Sequence, residues 1–596
     1  MLMARSKIVG WGLPHHFETV GQDLCRGRPA LEARARCPRH VGEQVPSFVT
    51  VLLLLFVGSA CQASVLPNRW VYVSRSLQRD GDIVDIKSIT RTAAESGLNG
   101  MVLAAGLDRL DRQNQGYFAR IERVRNICKQ NNIEIIPIIF SVGYGGSVLG
   151  HDKNLAAGMF VEDALYVVEN GTAQFVQDSP AVIANGGFEK YDGDHLTSYN
   201  FHDKPGEVSF VDSKVYSGGR ASLRFENFGR YEHGHARVMQ EVEVEPNRCY
   251  RLTCMVRAES LEPEGCFRVQ VLAMDGRSLA PWDPKVPSTT DWRKVVMGFN
   301  SLDYDKVRIY LGAWGGVSGR FWVDDLNIEE VGLLNVLRRP GTPVRVRSER
   351  TGVTYKERLD YVPIADPKLD FRFDHSSPVI KTLPAGRIKN GQRLRVSYYH
   401  GMGINRGQVS VCMSEPEVYE IWERQVRLLH ERLAPKKYLL SMDEIRAGGA
   451  CQACRKRGLT MAQILGDCVT RQVGIIRSVN PDAEILIWSD MFDPNHNAHD
   501  NYYLVDGDFT ESWNYIPKDI TIVCWYYDKR AESLGFFSSL GFKTLAGAYY
   551  DGDTLDNPAG WLEVLDRTAG ADGIMYTTWR NKYELLAPFG DLVSGR

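Results

Sequence analysis

The chain has 596 residues, several times the ~150 that one domain typically occupies, so the length predicts two or three domains. Its 71 Lys and Arg nearly cancel its 73 Asp and Glu, for a net charge of -2. This balance argues against nucleic acid or an anionic membrane surface as a partner, because both attract a basic surface. A small or neutral partner is favoured. Aromatic residues make up 10% of the chain, so their positions need an explanation.

An apolar run near the N-terminus predicts an export signal. Residues 48–60 read FVTVLLLLFVGSA, which is shorter than the ~20 residues that a membrane-spanning helix needs. Arginines precede this run and small residues follow it, as in a signal peptide. We therefore expect residues 1–64 to be a leader, cleaved after Ala63 or lipid-attached at Cys61, and the protein to be exported. The lipid at Cys61 is the one membrane link that we expect.

The remaining chain begins and ends with alternating strand-like runs and helical patterns. Three strand-like runs lie in residues 65–180 and five lie in residues 411–596, with helical apolar spacing over 117–131 and 418–433. Eight strands that alternate with helices predict an α/β fold, a (β/α)8 TIM barrel interrupted after strand 3. The strand-like runs are residues 70–74, 100–105, 133–140, 438–442, 483–488, 520–525, 543–549 and 573–576.

Residues 181–333 have short strands and turns with few helical periods, which predicts an inserted all-β jelly-roll sandwich. The opening NGGFE (185–189) and the ending FWVDDLNI (321–328) resemble carbohydrate-binding modules, and a rigid insert without a ligand is the alternative. That resemblance implies a structural calcium ion framed by Glu189, Asp324 and Asp325; we expect no other cofactor. Residues 334–410 are predicted to be a β-rich connector, which also takes the strand-like run 394–399.

Nine cysteines follow the leader, an odd number that excludes a fully paired disulfide framework unless one thiol is free. Cys451 and Cys454 form a single CxxC motif. Such a motif is half of a zinc site, a redox pair or a local disulfide. Because the sequence has no second CxxC, we favour a structural pair beside a loop.

Aromatic and acidic residues follow the predicted barrel strands, at the end where TIM barrels carry their active sites. Aromatic rings stack on sugar faces, carboxylates hold hydroxyls, and a carboxylic acid protonates the leaving oxygen of a glycosidic bond. The pattern therefore predicts a sugar pocket with Glu444 as the acid. The residues at the strand ends are Arg75, Asp443, Glu444, Trp488, Asp490, Trp525, Tyr549, Asp551 and Trp579.

In this order the strand-end residues resemble those of the family 20 β-N-acetylhexosaminidases, glycoside hydrolases that use the substrate's acetamido oxygen as the nucleophile. The resemblance covers the barrel and not the insert. One difference is that residues 141–146 (SVGYGG) stand where the family has a histidine after strand 3. The resemblance implies an oligosaccharide or polysaccharide substrate and a retaining, substrate-assisted removal of β-linked N-acetylhexosamine.

The resemblance also implies a role for most of these residues. Glu444 is expected to be the general acid/base, Asp443 to orient the acetamido group, and Tyr549 to donate a hydrogen bond to the acetamido oxygen. Sugar hydroxyls are expected to contact Arg75 and Asp551. Asp490 is a further candidate for substrate binding from its strand-end position alone. The expected walls of the pocket are Trp488, Trp525 and Trp579.

Two other functions fit the same residues. In a retaining glycosidase that forms a covalent intermediate, Asp551 would be the nucleophile opposite Glu444. A non-catalytic carbohydrate-binding protein would keep the aromatic residues without needing the acid. Residues 493–500 also contain His496 and His499 at a spacing that a metal can use, but we expect polar contacts there and no metal ion.

Overall fold

The computed structural model of the chain describes residues 66–405 and 407–595. The predicted leader lies outside these residues, so export, cleavage after Ala63 and lipid attachment at Cys61 remain predictions. Within residues 66–405 and 407–595, no helix combines the length and the apolar character that a membrane span requires.

Eight parallel strands close into a barrel, as the sequence predicts. The first strand closes the barrel on the last, with Trp70 opposite Met575. The strands, numbered β1 to β8, are Asn68–Ser74, Gly100–Ala104, Glu134–Ile139, Lys437–Leu440, Glu484–Trp488, Thr521–Cys524, Lys543–Tyr549 and Ala571–Thr577. The longer helices, α1 to α7, are Asp80–Glu95, Gln115–Gln130, Pro416–Leu433, Met461–Val479, Arg530–Ser539, Asp556–Leu565 and Leu586–Ser594.

The barrel strands bury both faces because one faces the barrel interior and the other faces the helices. Inside, rings and branched side chains form one buried cluster that includes Trp70, Tyr72 and Trp488. A Cβ at Gly100 would lie 2.4 Å from the Trp70 ring, so glycine makes room for this indole. Local sequence also sets helix starts: the Asn114 side chain accepts the Tyr117 N–H at α2, and Thr460 caps α4.

Between β3 and β4 the chain forms further antiparallel sheets, two of which have five strands. Phe321 of one sheet contacts Phe267 of the other, with ring centroids 5.5 Å apart, so the two sheets form a sandwich. One sheet has the order Thr290–Asn300, Cys249–Glu262, Ser318–Glu330, Ser222–Glu226, Ser209–Asp212. The other has the order Ser278–Trp282, Phe267–Ala273, Lys306–Ala313, Ala236–Glu243, Phe201–His202.

A six-stranded sheet combines segments that the predicted domain boundaries separate. Met159–Glu169 runs antiparallel to Arg393–His400, so part of the predicted first barrel segment (65–180) joins strands of the predicted connector. The candidate strand 394–399 lies in this sheet, outside the barrel. Local patterns did not reveal the sheet because its central strands are more than 200 residues apart. Its order is Thr354–Tyr355, Arg345–Ser348, Arg393–His400, Met159–Glu169, Thr172–Phe175, Ile380–Lys381.

Candidate active site

Asp443 and Glu444 lie in the loop that follows β4, at the carboxyl end of the barrel. Glu444 has φ of 53°, a left-handed conformation that is uncommon for a residue with a side chain. Two contacts fix this backbone. Its N–H donates to the Asp490 carboxylate at 2.8 Å, and its carbonyl accepts from the Gln408 amide at 2.7 Å. The strained conformation is thus held by groups from two other segments.

Two donors bind the Glu444 carboxylate. Arg446 contacts Oε1 at 2.8 Å, and the Tyr144 hydroxyl donates to Oε2. Burial acts to raise the pKa of Glu444, but Arg446 and Tyr144 stabilise the charged form and hold the pKa below its usual value. Glu444 is therefore an anion at neutral pH in the free protein.

The environment of Asp443 raises its pKa, whereas that of Glu444 lowers the pKa. Burial and the adjacent Glu444 charge raise the pKa of Asp443 to about 6, although the Ser441 hydroxyl donates to its carboxylate at 2.9 Å. Below about pH 6 Asp443 therefore holds a proton while Glu444 is charged, as in enzymes that use one carboxyl as an acid and the other as a carboxylate.

Asp490, predicted to bind substrate, is completely buried and contacts protein groups. Besides the Glu444 N–H, its carboxylate accepts from the Asn497 amide at 2.9 Å and lies 3.4 Å from the Trp525 indole nitrogen. Burial and the nearby Asp443 and Glu444 raise the pKa of Asp490 to about 8. Its position makes it a support for the Glu444 backbone.

A glycine-rich loop after β3 places Tyr144 against Glu444. A Cβ at Gly143 would lie 2.0 Å from the carbonyl oxygen of Asp443, so this position needs a glycine. Gly145 has φ of 56°, and a Cβ there would lie 2.5 Å from the Val409 carbonyl oxygen. This is the loop where the resembling family has a histidine; here a tyrosine hydroxyl contacts the acidic pair.

Aromatic rings form an arc at the same end of the barrel. Neighbouring ring centroids are 4.3 to 6.2 Å apart, and the Trp525 and Tyr550 rings are nearly parallel, with a 3° angle between them. The arc thus brings together all three predicted tryptophans. Its members are Tyr72, Trp488, Trp579, Tyr550, Trp525 and His496.

Tyr549, the predicted partner of the acetamido group, lies elsewhere. Its ring stacks on Tyr576 with centroids 4.0 Å apart, in the core between strands and helices. Its φ of 78° ends the strand alternation, so the following Tyr550 takes the position in the arc. Burial and the charges of Glu444, Asp490 and Asp443 raise the pKa of the Tyr550 hydroxyl, so this hydroxyl lies near the acidic groups. Sequence spacing did not reveal this local reversal.

Arg75 and Asp551 both form contacts within the protein. Arg75 contacts Asp85 at 3.1 Å and donates to Asn581, which places it at the β1–β8 side of the barrel end. Asp551 accepts the backbone N–H of Trp579 at 2.9 Å and the Thr578 hydroxyl. Asp551 thereby fixes the loop that carries Trp579, which is a different role from the predicted contact with a sugar hydroxyl.

His496, from the loop in which we expected polar contacts, packs at one end of the arc. Its ring lies 4.3 Å from Trp525 and 4.7 Å from Tyr526, between centroids. Burial lowers its pKa to about 4, although the Glu444 charge acts in the opposite direction. It is therefore neutral at physiological pH and completes the arc of six rings.

The expected calcium ligands contact backbone groups in the structure. Glu189 accepts the Arg220 N–H at 2.6 Å, and Asp324 accepts the Ser217 N–H at 2.7 Å. Among the described residues, two groups of three side chains lie close enough together to bind a metal ion, and neither includes Glu189. These groups are Cys412, Cys451 and Cys454, and Asp370, Asp374 and His375. The calcium site remains a prediction.

No family profile and no curated protein matches the chain. Solved structures share its shape in part. The carbohydrate-binding module TmCBM61, solved with β-1,4-galactotriose, is 16% identical over 25% of this chain and 97% of its own, with a TM-score of 0.20. The CBM22-1 xylan-binding domain of Paenibacillus barcinonensis Xyn10C is 12% identical over 26% of this chain and 94% of its own, with a TM-score of 0.19.

A rhamnosidase from Novosphingobium sp. PP1Y matches more of the chain. It is 9% identical and covers 90% of this chain, with a TM-score of 0.34. This chain spans 59% of the length of that enzyme. At such identities and TM-scores these likenesses carry no argument about substrate or mechanism, so the functional assignment depends on the geometry of the site.

Proposed function

We propose that this protein is a glycoside hydrolase that acts on a neutral oligosaccharide or polysaccharide, with β-linked N-acetylhexosamine as its substrate. The observation that carries the proposal is the pair Asp443 and Glu444, two adjacent carboxyl groups at the carboxyl end of the barrel, of which Glu444 contacts Arg446 and Tyr144 and Asp443 accepts from Ser441. They lie beside an arc of rings suited to sugar faces. This combination supplies both a proton donor and a carboxylate for glycosidic bond cleavage.

The environments favour a division of roles opposite to that implied by the family resemblance. Asp443, with its raised pKa, donates the proton to the leaving oxygen and then accepts one from the attacking water. Glu444, held as a carboxylate by Arg446 and Tyr144, orients the acetamido group and stabilises the positive charge of the oxazolinium ion. The acetamido oxygen attacks the anomeric carbon, the glycosidic bond breaks, and water then opens the oxazolinium ring with retention.

A panel of aryl glycosides tests the proposal. We expect p-nitrophenyl N-acetyl-β-glucosaminide or -galactosaminide to be cleaved, and the plain β-glucoside and β-galactoside to be stable. On a chitooligosaccharide, whose leaving oxygen needs a proton, Asp443→Asn should reduce turnover by roughly 10² to 10⁴, the range for loss of acid–base catalysis. Glu444→Gln should reduce turnover as well, because the oxazolinium ion loses its carboxylate. Asp528→Asn is a matched control, because Asp528 is an exposed carboxylate after β6. Cleavage of plain glycosides, with a glycosyl ester on Asp551 trapped by a 2-deoxy-2-fluoroglycoside, would favour the covalent route instead.

One observation favours a second candidate, a non-catalytic carbohydrate-binding protein. Both oxygens of Glu444 already contact protein donors, Arg446 and Tyr144. A receptor that uses the aromatic arc for binding would keep such a neutralised carboxylate. Binding of a chitooligosaccharide in calorimetry without release of product over days would support this candidate and contradict the hydrolase.

A further inference from the structure

Three cysteines from two separate segments of the chain meet in the structure. Cys412 lies just before α3, whereas Cys451 and Cys454 belong to the CxxC motif of the short helix Gln452–Arg455. All three thiols are buried. Their sulfur atoms are 3.4 Å (412 to 451), 3.7 Å (412 to 454) and 3.6 Å (451 to 454) apart. The CxxC motif therefore has a third partner that the sequence did not reveal.

These separations match the geometry of a metal site better than that of a disulfide. A disulfide joins two sulfurs at ~2.0 Å, and a third thiol has no part in it. Zinc bound to thiolates at ~2.3 Å in tetrahedral geometry places neighbouring sulfurs about 3.8 Å apart. The three sulfur pairs all lie near this tetrahedral edge, so the cluster forms one triangular face around a common centre.

A small cavity lies on the cluster and has room for a fourth ligand. The three cysteines line it together with Ala157, Gly158 and Met461, and its volume is about 10 Å³. A water molecule needs roughly 10 to 15 Å³ of such space. One water could therefore complete four-coordination without displacing a side chain.

A buried arginine acts electrostatically on the cysteines. The Arg339 side chain is 4% exposed, interacts electrostatically with Cys412 and Cys451, and contacts Glu415 at 2.8 Å. Its Nη2 atom is buried and has no hydrogen-bond partner among the residues that the structure describes. Three thiolates with a divalent cation carry one net negative charge, which Arg339 offsets only in part because it also pairs with Glu415.

We propose that Cys412, Cys451 and Cys454 bind one zinc ion, which joins the two chain segments that hold the acidic pair. Gln408, which contacts the Glu444 carbonyl and Arg446, lies four residues before Cys412. Glu444 itself lies seven residues before Cys451. The ion thus connects the two segments and has a structural role. The site does not depend on the proposed hydrolase activity.

Metal analysis of the intact protein tests the site. We expect about one zinc per chain to remain after gel filtration, and at least tenfold less in Cys412→Ser and Cys454→Ser. Cys128→Ser is the control, because Cys128 is equally buried but lies on α2, outside the cluster. It should keep the wild-type zinc content. Removal of zinc with 1,10-phenanthroline should lower the unfolding temperature of the wild type, and added zinc should restore it.

A second measurement tests the zinc site where a serine variant fails to fold. Replacement of zinc by cobalt(II) in the wild type should give thiolate-to-metal charge-transfer bands and the intense visible absorption of tetrahedral cobalt. Wild-type protein with less than a tenth of an equivalent of metal after growth in zinc-supplemented medium would overturn the proposal. A disulfide between any two of the three cysteines, found by mass spectrometry of the unreduced protein, would overturn it as well.

Discussion

At the scale of single residues, the chemistry depends on which neighbours each carboxyl group has. Tyr144 and Arg446 stabilise the charged form of Glu444, while Asp443 receives the repulsion of that charge. Neither donor was among the residues singled out from sequence, although Tyr144 lies in the glycine-rich segment that takes the place of the family's histidine. The sequence shows Tyr144 in this segment but not its contact with Glu444, because Glu444 lies 300 residues away.

Tyr144→Phe tests the electrostatic part of this description. The Tyr144 hydroxyl lowers the pKa of Glu444, so its removal should raise that pKa. Because the carboxylate is the active form, the acid limb of the kcat/KM profile should move to higher pH and activity at low pH should fall. Tyr216→Phe, a change at another exposed tyrosine, should leave the limb in place. An unmoved acid limb in Tyr144→Phe would contradict the assigned contact.

The exchange of Tyr549 for Tyr550 gives a second prediction at this scale. Tyr550→Ala should raise KM at least several-fold because it removes a ring beside Trp525. Tyr549→Phe should leave kcat and KM within about twofold of the wild type, since the ring can still stack on Tyr576. Kinetics of both variants on the same aryl glycoside measure this. A severe kcat defect in Tyr549→Phe with unchanged Tyr550→Ala kinetics would restore the role expected from sequence.

At the scale of elements, the β3 loop and the β4 loop hold one another by backbone contact. Gly143→Ala would place a Cβ 2.0 Å from the Asp443 carbonyl oxygen, a contact that forces the backbone to shift. We expect at least a tenfold loss of kcat/KM and a lower unfolding temperature. Gly146→Ala is the matched control, because nothing lies within 4 Å of a Cβ there. Equal behaviour of the two variants would contradict the close approach of the loops.

Element types were predictable from sequence where the pattern is local. The alternation of β-rich and helical segments predicted the eight barrel strands, and the turn-rich stretch predicted the β domain. The six-stranded sheet was not predicted because Met159–Glu169 pairs with Arg393–His400 across the whole sandwich. The positions of Tyr549 and Asp551 were not predictable either, since positive φ values after β7 reverse the expected alternation.

At the scale of the whole molecule, the sandwich contacts the barrel end near the site. Arg277 of the sandwich donates to the carbonyl groups of Tyr503 and Val505 in the loop that follows β5. Tyr503 in turn lies under Arg446, with the guanidinium 5.2 Å from its ring centroid. A chain of contacts therefore connects the sandwich to the arginine that holds Glu444.

Arg277→Met tests this connection. The variant keeps the apolar stem but leaves two carbonyl groups without their donor, a loss of about 1 to 3 kcal/mol in unfolding free energy. We expect faster hydrogen exchange in residues 503–506 and a reduced unfolding temperature. Arg220→Met is the control, because the Arg220 side chain is 91% exposed. Unchanged exchange in 503–506 would show that the contact does not fix the loop.

Proton donation by Asp443 beside a charged Glu444 is tested by the pH dependence of kcat/KM on an N-acetyl-β-hexosaminide whose leaving group needs protonation. The pKa of Asp443 is raised to about 6, so its proton is present below that pH and lost above it. We predict that kcat/KM falls as the pH rises through about 6. In Asp443→Asn, assayed with a leaving group that needs no protonation, this limb should disappear. A wild-type profile that stays level to pH 8, or a limb that persists in Asp443→Asn, would contradict the assignment of Asp443 as the proton donor.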